Sequence, residues 1–175
     1  MRWLYIVASC WLLAVAGCAS SGVVKNATPV LTSAPVSLDF VLVETSGSTT
    51  NLEAAEQLLK DKLVIGLRET RVFGSVTGNK ADVGSGSGMK IQAQIKEVKT
   101  VSPNARAWFG GLAGHARVLV QVTVSDLNSG NQIQAFEIEA ESGASAMAGT
   151  TDQTVQQAAQ QIVAEIVRIS RQTSQ

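Results

Sequence analysis

Residues that commonly carry chemistry or cross-links are scarce in this chain of 175 residues. It has two cysteines, one histidine and three prolines, and aromatic residues make up only 5% of it. A single histidine excludes a histidine cluster for a metal ion. Charge is balanced, with 14 basic and 14 acidic residues, so the chain has no electrostatic footprint for nucleic acid and no polybasic membrane patch.

The first 17 residues have the pattern of a signal peptide. Met1 and Arg2 give a positive start, and an apolar run follows over 3–14. This run is too short to span a bilayer, which needs roughly 20 residues, but it suits the core of a signal peptide. Residues 15–18 (VAGC) then resemble a lipobox: an aliphatic residue, two small ones and a cysteine. They predict cleavage before Cys18 and a lipid on its thiol, although an ordinary secretory leader remains the alternative.

Lipidation would leave the mature domain without a free thiol. Cys10 would depart with the leader and Cys18 would carry the lipid, so the stability of the domain would come from packing. The residues over 18–35 are small and polar and include two prolines, which predicts a flexible tether. Ala19 and Ser20 resemble the pattern that sorts lipoproteins to the outer membrane. We therefore expect one domain over 36–172, facing the periplasm and held at the membrane by acyl chains.

Hydrophobic periodicity predicts a two-layer α+β sandwich. Its mostly antiparallel sheet of four to five strands would carry two helices on one face, in the order β-α-β-β-β-β-α. A capping box with Thr49 or Thr50 and Glu53 would begin the first helix, and Thr150 or Thr151 would cap the last. The predicted strands lie at 36–44, 71–76, 89–98, 116–124 and 132–141, the helices at 51–69 and from 151 onward, and a glycine-rich loop at 77–88.

Two strands are specific enough to predict a register. In a hairpin turning at 126–131, pairing Val122 with Phe136 also opposes Gln121 to Glu137, so that both faces match. The strand before the hairpin alternates up to Ile95 and then slips in phase, which predicts a β-bulge near Lys96. The last helix has an apolar stripe that would pack on the sheet, with a coiled coil as the alternative.

Few residues form a pattern typical of catalysis. His115 precedes a strand and no nucleophile elbow accompanies it, so no catalytic device is predicted. The three glutamates at 137, 139 and 141 could suggest a cation site, but a solvated sheet face, partly neutralised by Arg117 and nearby lysines, is the favoured interpretation. The glycines of the 77–88 loop precede a strand, whereas a phosphate loop requires a helix.

The connection between two hairpin strands is longer than folding requires. It places aromatic residues beside a glycine hinge and an arginine, and tryptophan and arginine are favoured at interfaces. An apolar cluster folded back on the sheet edge is the alternative interpretation. The residues predicted to bind a partner are Arg106, Trp108, Phe109, Gly110 and Gly111.

Several of these features resemble a family of small proteobacterial lipoproteins with a domain of unknown function. They are the glycine-rich segment 106–114, the following strand, the turn from Asp126 to Gly130, and the helix entry at Thr151 and Asp152. The order of elements is also similar to the periplasmic domains of the curli-secretion-channel lipoprotein and of the penicillin-binding-protein activator lipoproteins. The close resemblance implies an envelope lipoprotein without known catalytic residues. The distant resemblance implies a role in protein–protein interaction.

The sequence thus predicts a non-enzymatic function. We expect a lipoprotein with no cofactor beyond the lipid on Cys18, which binds or helps assemble another envelope protein complex. Its expected partners are the membrane and an envelope protein, with self-association left open. A module that binds a small ligand or a cation is the alternative.

Overall fold

The computed structural model describes residues 23–29, 39–47, 52–83, 88–99, 116–142 and 151–173. The signal peptide and Cys18 lie outside these residues, so both stay predictions. Within them, six strands form one mixed sheet in the spatial order β1-β6-β5-β4-β2-β3. The pairings of β2 with β3 and with β4 are parallel, and the other three are antiparallel. The strands are β1 Val23–Pro29, β2 Phe40–Gly47, β3 Ser75–Thr77, β4 Gly88–Lys99, β5 Arg117–Asp126 and β6 Gln132–Glu141.

Two helices cover one face of this sheet. They are α1, Glu53–Glu69, and α2, Thr151–Thr173. Leu59, Leu63 and Leu67 of α1 are fully buried, as are Ile162 and Ile166 of α2. They pack against alternate residues of the strands in a single core, which confirms the α+β class and the packing of the last helix on the domain's own sheet. Between β3 and β4 lies a short 3-10 helix, Lys80–Asp82.

The predicted hairpin register is confirmed. Val122 opposes Phe136 and Gln121 opposes Glu137 in the β5–β6 pair. The register of β4 against β5 shifts between Ile95 and Glu97, which confirms the predicted bulge. Alternation fixed both features because a slip by one residue would move every apolar side chain of a strand to the wrong face.

The prediction of a flexible tether is wrong over residues 23–29. They form β1, which pairs antiparallel with β6 at the edge of the sheet, with Val23 opposite Glu139. An edge strand needs backbone pairing on one side only, and polar residues and proline are tolerated there. The segment VVKNATP therefore has a loop-like composition although its backbone is part of the ladder.

Two further boundaries differ from the predictions. Helix α1 has Leu52 at its N-cap position without a capping side chain, so the capping box with Glu53 is wrong. The third strand covers Ser75–Thr77 instead of 71–76. Arg68 fixes this short strand, because its Nε and Nη2 atoms both donate to the carbonyl oxygen of Val76, at 3.0 and 2.7 Å.

Candidate functional site

The predicted partner-binding loop lies outside the described residues, but both of its ends are described. Lys99 ends β4 and Arg117 begins β5, and the two residues oppose each other in the ladder. On the other side, Arg117 opposes Glu141, the last residue of β6. The loop therefore leaves and re-enters the sheet at one end of three neighbouring strands. The predicted site residues without a described position are Arg106, Trp108, Phe109, Gly110, Gly111 and Cys18.

Backbone and side-chain bonds close this end of the sheet. The amide of Ser142 donates to the carbonyl oxygen of Ala116 at 2.8 Å, and the amide of Ala116 donates to the Ser142 hydroxyl oxygen at 2.9 Å. Ser142 and Ala116 are both buried. The last backbone groups of the hairpin are thus satisfied, and the loop starts from an ordered base.

An ion pair lies on the helix-free face beside this base. Arg117 Nε is 2.6 Å from Glu139 Oε1, and the two side chains are 35% and 9% exposed. Arg117 faces Glu141 across the ladder but pairs with Glu139, two residues earlier on the same face. A carboxylate with so little exposure costs free energy unless a cation or hydrogen bonds compensate it. The guanidinium of Arg117 therefore compensates the nearly buried carboxylate of Glu139.

The described residues do not bring the three alternating glutamates together as one group of ligands. No group of three or more metal-ligating side chains occurs among those residues. Glu139 pairs with Arg117, and Glu141 is exposed at the strand end. This arrangement fits the interpretation of a partly neutralised sheet face.

A second polar cluster, which sequence reasoning missed, lies at the other edge of the same face. Lys80 Nζ is 2.9 Å from Glu44 Oε1, and Gln92 Nε2 donates to Glu44 Oε2 at 3.2 Å. The Thr77 hydroxyl donates to Asp82 Oδ2 at 3.1 Å. The Lys80–Glu44 contact joins the 3-10 helix to a strand distant in sequence, which no local motif predicts.

At the opposite end of the β5–β6 hairpin, hydrogen bonds stabilise the negative charge of Asp126. Asp126 Oδ1 accepts from the backbone amide of Ser129 at 2.7 Å and from its hydroxyl at 2.8 Å. These bonds, the backbone one first, lower the pKa of Asp126. Gly130 adopts a φ of 70° in this turn, a conformation that glycine takes at little cost. The turn is therefore held by specific hydrogen bonds, and it lies at the end of the hairpin opposite the predicted loop.

A shallow groove of about 490 Å³ runs between the two helices. Gly66, Val163 and Ile65 are among the residues that line it, and Ile65 is 50% exposed. A Cβ atom on Gly66 would lie 3.0 Å from a methyl carbon of Val163, so the missing side chain lets the helices approach closely.

Among the described residues, no helix is long and apolar enough to cross a membrane.

Comparison with known proteins shows the fold. No family model and no curated protein matches the chain. A solved PelC dodecamer from Paraburkholderia phytofirmans is similar at 12% identity and a TM-score of 0.53, covering 86% of this chain and 97% of that one. A Xanthomonas campestris protein of the family DUF330 is 12% identical with a TM-score of 0.55, covering 84% and 93%. At such identity the likeness concerns the architecture alone.

Proposed function

We propose that this chain is an outer-membrane lipoprotein, anchored through Cys18 and facing the periplasm, that binds or helps assemble another envelope protein complex without catalysis. The observation that carries the proposal is the VAGC segment after a short apolar run. Acyl chains on Cys18 would each add membrane affinity of about 0.8 kcal/mol per buried methylene. The covalent lipid is the only added group that this function needs.

The loop between β4 and β5 is the proposed partner-binding element. Its two ends are held side by side by the Lys99–Arg117 pairing and by the bonds between Ala116 and Ser142. Trp108, Phe109 and Arg106 are residue types that dominate binding energy at interfaces. Binding loops on a rigid scaffold are a common arrangement, and the closed sheet end supplies such a scaffold.

Self-association is part of the proposal. The fold neighbour PelC is a dodecamer in its crystals, which supports, for this chain, an assembly of several copies. The order of elements expected from the sequence, which is similar to that of the curli-secretion and penicillin-binding-protein activator lipoproteins, would imply a role in assembly of the same kind.

The anchor is tested by Cys18→Ser. We expect the wild-type chain to incorporate labelled palmitate and to fractionate with the outer membrane, and the variant to do neither. Equal membrane fractionation of both chains, without label in either, would contradict the lipid anchor.

The loop is tested by replacing Trp108 and Phe109 with alanine in the anchored chain. Crosslinking in intact cells followed by mass spectrometry should lose the partner proteins that the wild type captures. Ile65→Ala is the matched control, because it removes an exposed apolar side chain (50% exposed) from helix α1. If the loop variant keeps all partners at wild-type yield, the loop is not the binding element.

A further inference from the structure

The distance between the predicted anchor and the sheet is short. Strand β1 begins at Val23, five residues after Cys18. An extended chain spans at most about 3.6 Å per residue, so these five steps cover no more than roughly 18 Å. A tether over the whole of 18–35 would have allowed several times that distance. The first residue of β1 is therefore confined near whatever surface holds Cys18.

Strand directions show which part of the sheet is confined with Val23. Val23 opposes Glu139 near the end of β6, and Glu141 opposes Arg117 at the start of β5. Arg117 in turn opposes Lys99 at the end of β4. The beginnings of β1 and β5 and the ends of β4 and β6 thus form one end of the sheet, called the anchor end below.

We infer that the anchor end of the sheet faces the lipid surface, with Lys99, Arg117 and Glu141 nearest to it and the turn at 127–131 pointing away. This rests on the proposed lipidation of Cys18. The orientation would carry the connection between β4 and β5, whose two ends are at the anchor end, to the membrane side of the domain.

The charged residues described at the anchor end give no reason for the domain to orient in a different way on the lipid surface. Among the described residues of the anchor end, Lys99 and Arg117 are balanced by Glu139 and Glu141, so these residues present no excess of positive charge to anionic lipid. Ile65, on helix α1, is the only exposed large hydrophobic residue in the described part of the chain. No strong lateral attraction of these residues to lipid therefore competes with the short connection at the anchor end.

The turn at 127–131, called the far turn below, lies at the other end of the sheet and provides a reference position for measuring distance from the membrane. Strand β5 has 10 residues, and at about 3.3 Å per residue its ends lie roughly 30 Å apart. Asn128 in the far turn and Glu141 at the anchor end are both exposed. The described residues contain no cysteine, so a cysteine introduced at either position can be labelled after Cys18 has been acylated.

The test compares Glu141→Cys with Asn128→Cys in the processed, acylated protein that begins at Cys18. Each carries a fluorophore and is reconstituted in phosphatidylethanolamine–phosphatidylglycerol vesicles whose headgroups bear a short-range quencher. We expect strong loss of fluorescence at position 141 and little at 128. Lys99→Cys, which removes a charge of the opposite sign, should behave like position 141 and serves as the matched control.

Two results would overturn the inference, and they are distinguishable. If the acylated protein floats with the vesicles but both positions are quenched equally, or 128 more strongly, the domain lies flat or inverted and the orientation is wrong while the anchor stands. If the chain carries no lipid and does not float with the vesicles, the proposed anchor fails and the orientation with it.

Discussion

Gly88 allows an unusually close approach of two strands, and replacing it should destabilise the domain. Gly88 opposes Phe40 in the parallel β2–β4 pair. A Cβ atom built on it would lie 2.6 Å from the backbone oxygen of Phe40 and 2.9 Å from its Cβ atom. Carbon atoms normally rest about 3.5–4.0 Å apart. Because one neighbour is backbone, Gly88→Ala can be accommodated only if the strands separate.

The close contact with Phe40 should reverse the usual effect of replacing glycine by alanine. Replacing glycine by alanine where the backbone permits it stabilises a protein by about 0.4–1 kcal/mol, whereas an overpacked core costs about 1–3 kcal/mol. We expect Gly88→Ala to lose about 1–2 kcal/mol net. With a denaturant dependence of about 2 kcal/mol per molar urea, the midpoint of unfolding should fall by roughly 0.5–1 M.

Urea titration followed by circular dichroism measures this midpoint, and Gly78→Ala is the control. A Cβ atom on Gly78 would lie 2.6 Å from Lys60 Cε, near the free end of a flexible side chain that can move aside. Its stability should stay within about 0.5 kcal/mol of the wild type. If Gly88→Ala is as stable as the wild type or more so, the close approach at Phe40 is not real.

The remaining predictions concern the core, the edge strand and the far turn. Ile162→Ala removes a fully buried side chain and should cost about 2–5 kcal/mol in the same titration. Arg68→Met removes both bonds to the Val76 carbonyl oxygen and should cost about 1–3 kcal/mol, with faster amide exchange in β3. Asp126→Asn tests the lowered pKa of Asp126. Because a lowered pKa stabilises the fold only while the carboxyl is ionised, the stability gap to wild type should be full well above pH 3.8 and should shrink from there as the pH falls through the lowered pKa of the folded state.

Elements with two constrained faces were predictable from the sequence. Strands β5 and β6 place apolar residues on one face and polar residues on the other, so only one register satisfies both. The slip after Ile95 likewise has a single economical explanation, an extra residue in β4. The stripe of α2 required only that its apolar residues repeat at helical spacing.

Elements held by backbone contacts or distant partners were not predictable in the same way. Strand β1 contributes backbone bonds at an edge, which no side-chain pattern encodes. Gly88 belongs by composition to a flexible loop, and only the proximity of Phe40 gives it a structural role. The Lys80–Glu44 contact joins residues far apart in the chain. For the candidate site, the sequence indicated a loop, and the structure adds where its two ends lie.

The pairing of residues 23–29 as an edge strand has a consequence for function. A free tether over 18–35 could extend to roughly 60 Å, and the domain could then meet partners well away from the membrane and in any orientation. A strand from Val23 to Pro29 removes most of that freedom, because these residues are hydrogen-bonded to β6 and cannot act as a flexible tether. If Cys18 carries the proposed lipid, the same backbone bonds that add an edge strand to the sheet also keep the domain close to the membrane, and a partner would have to bind it there.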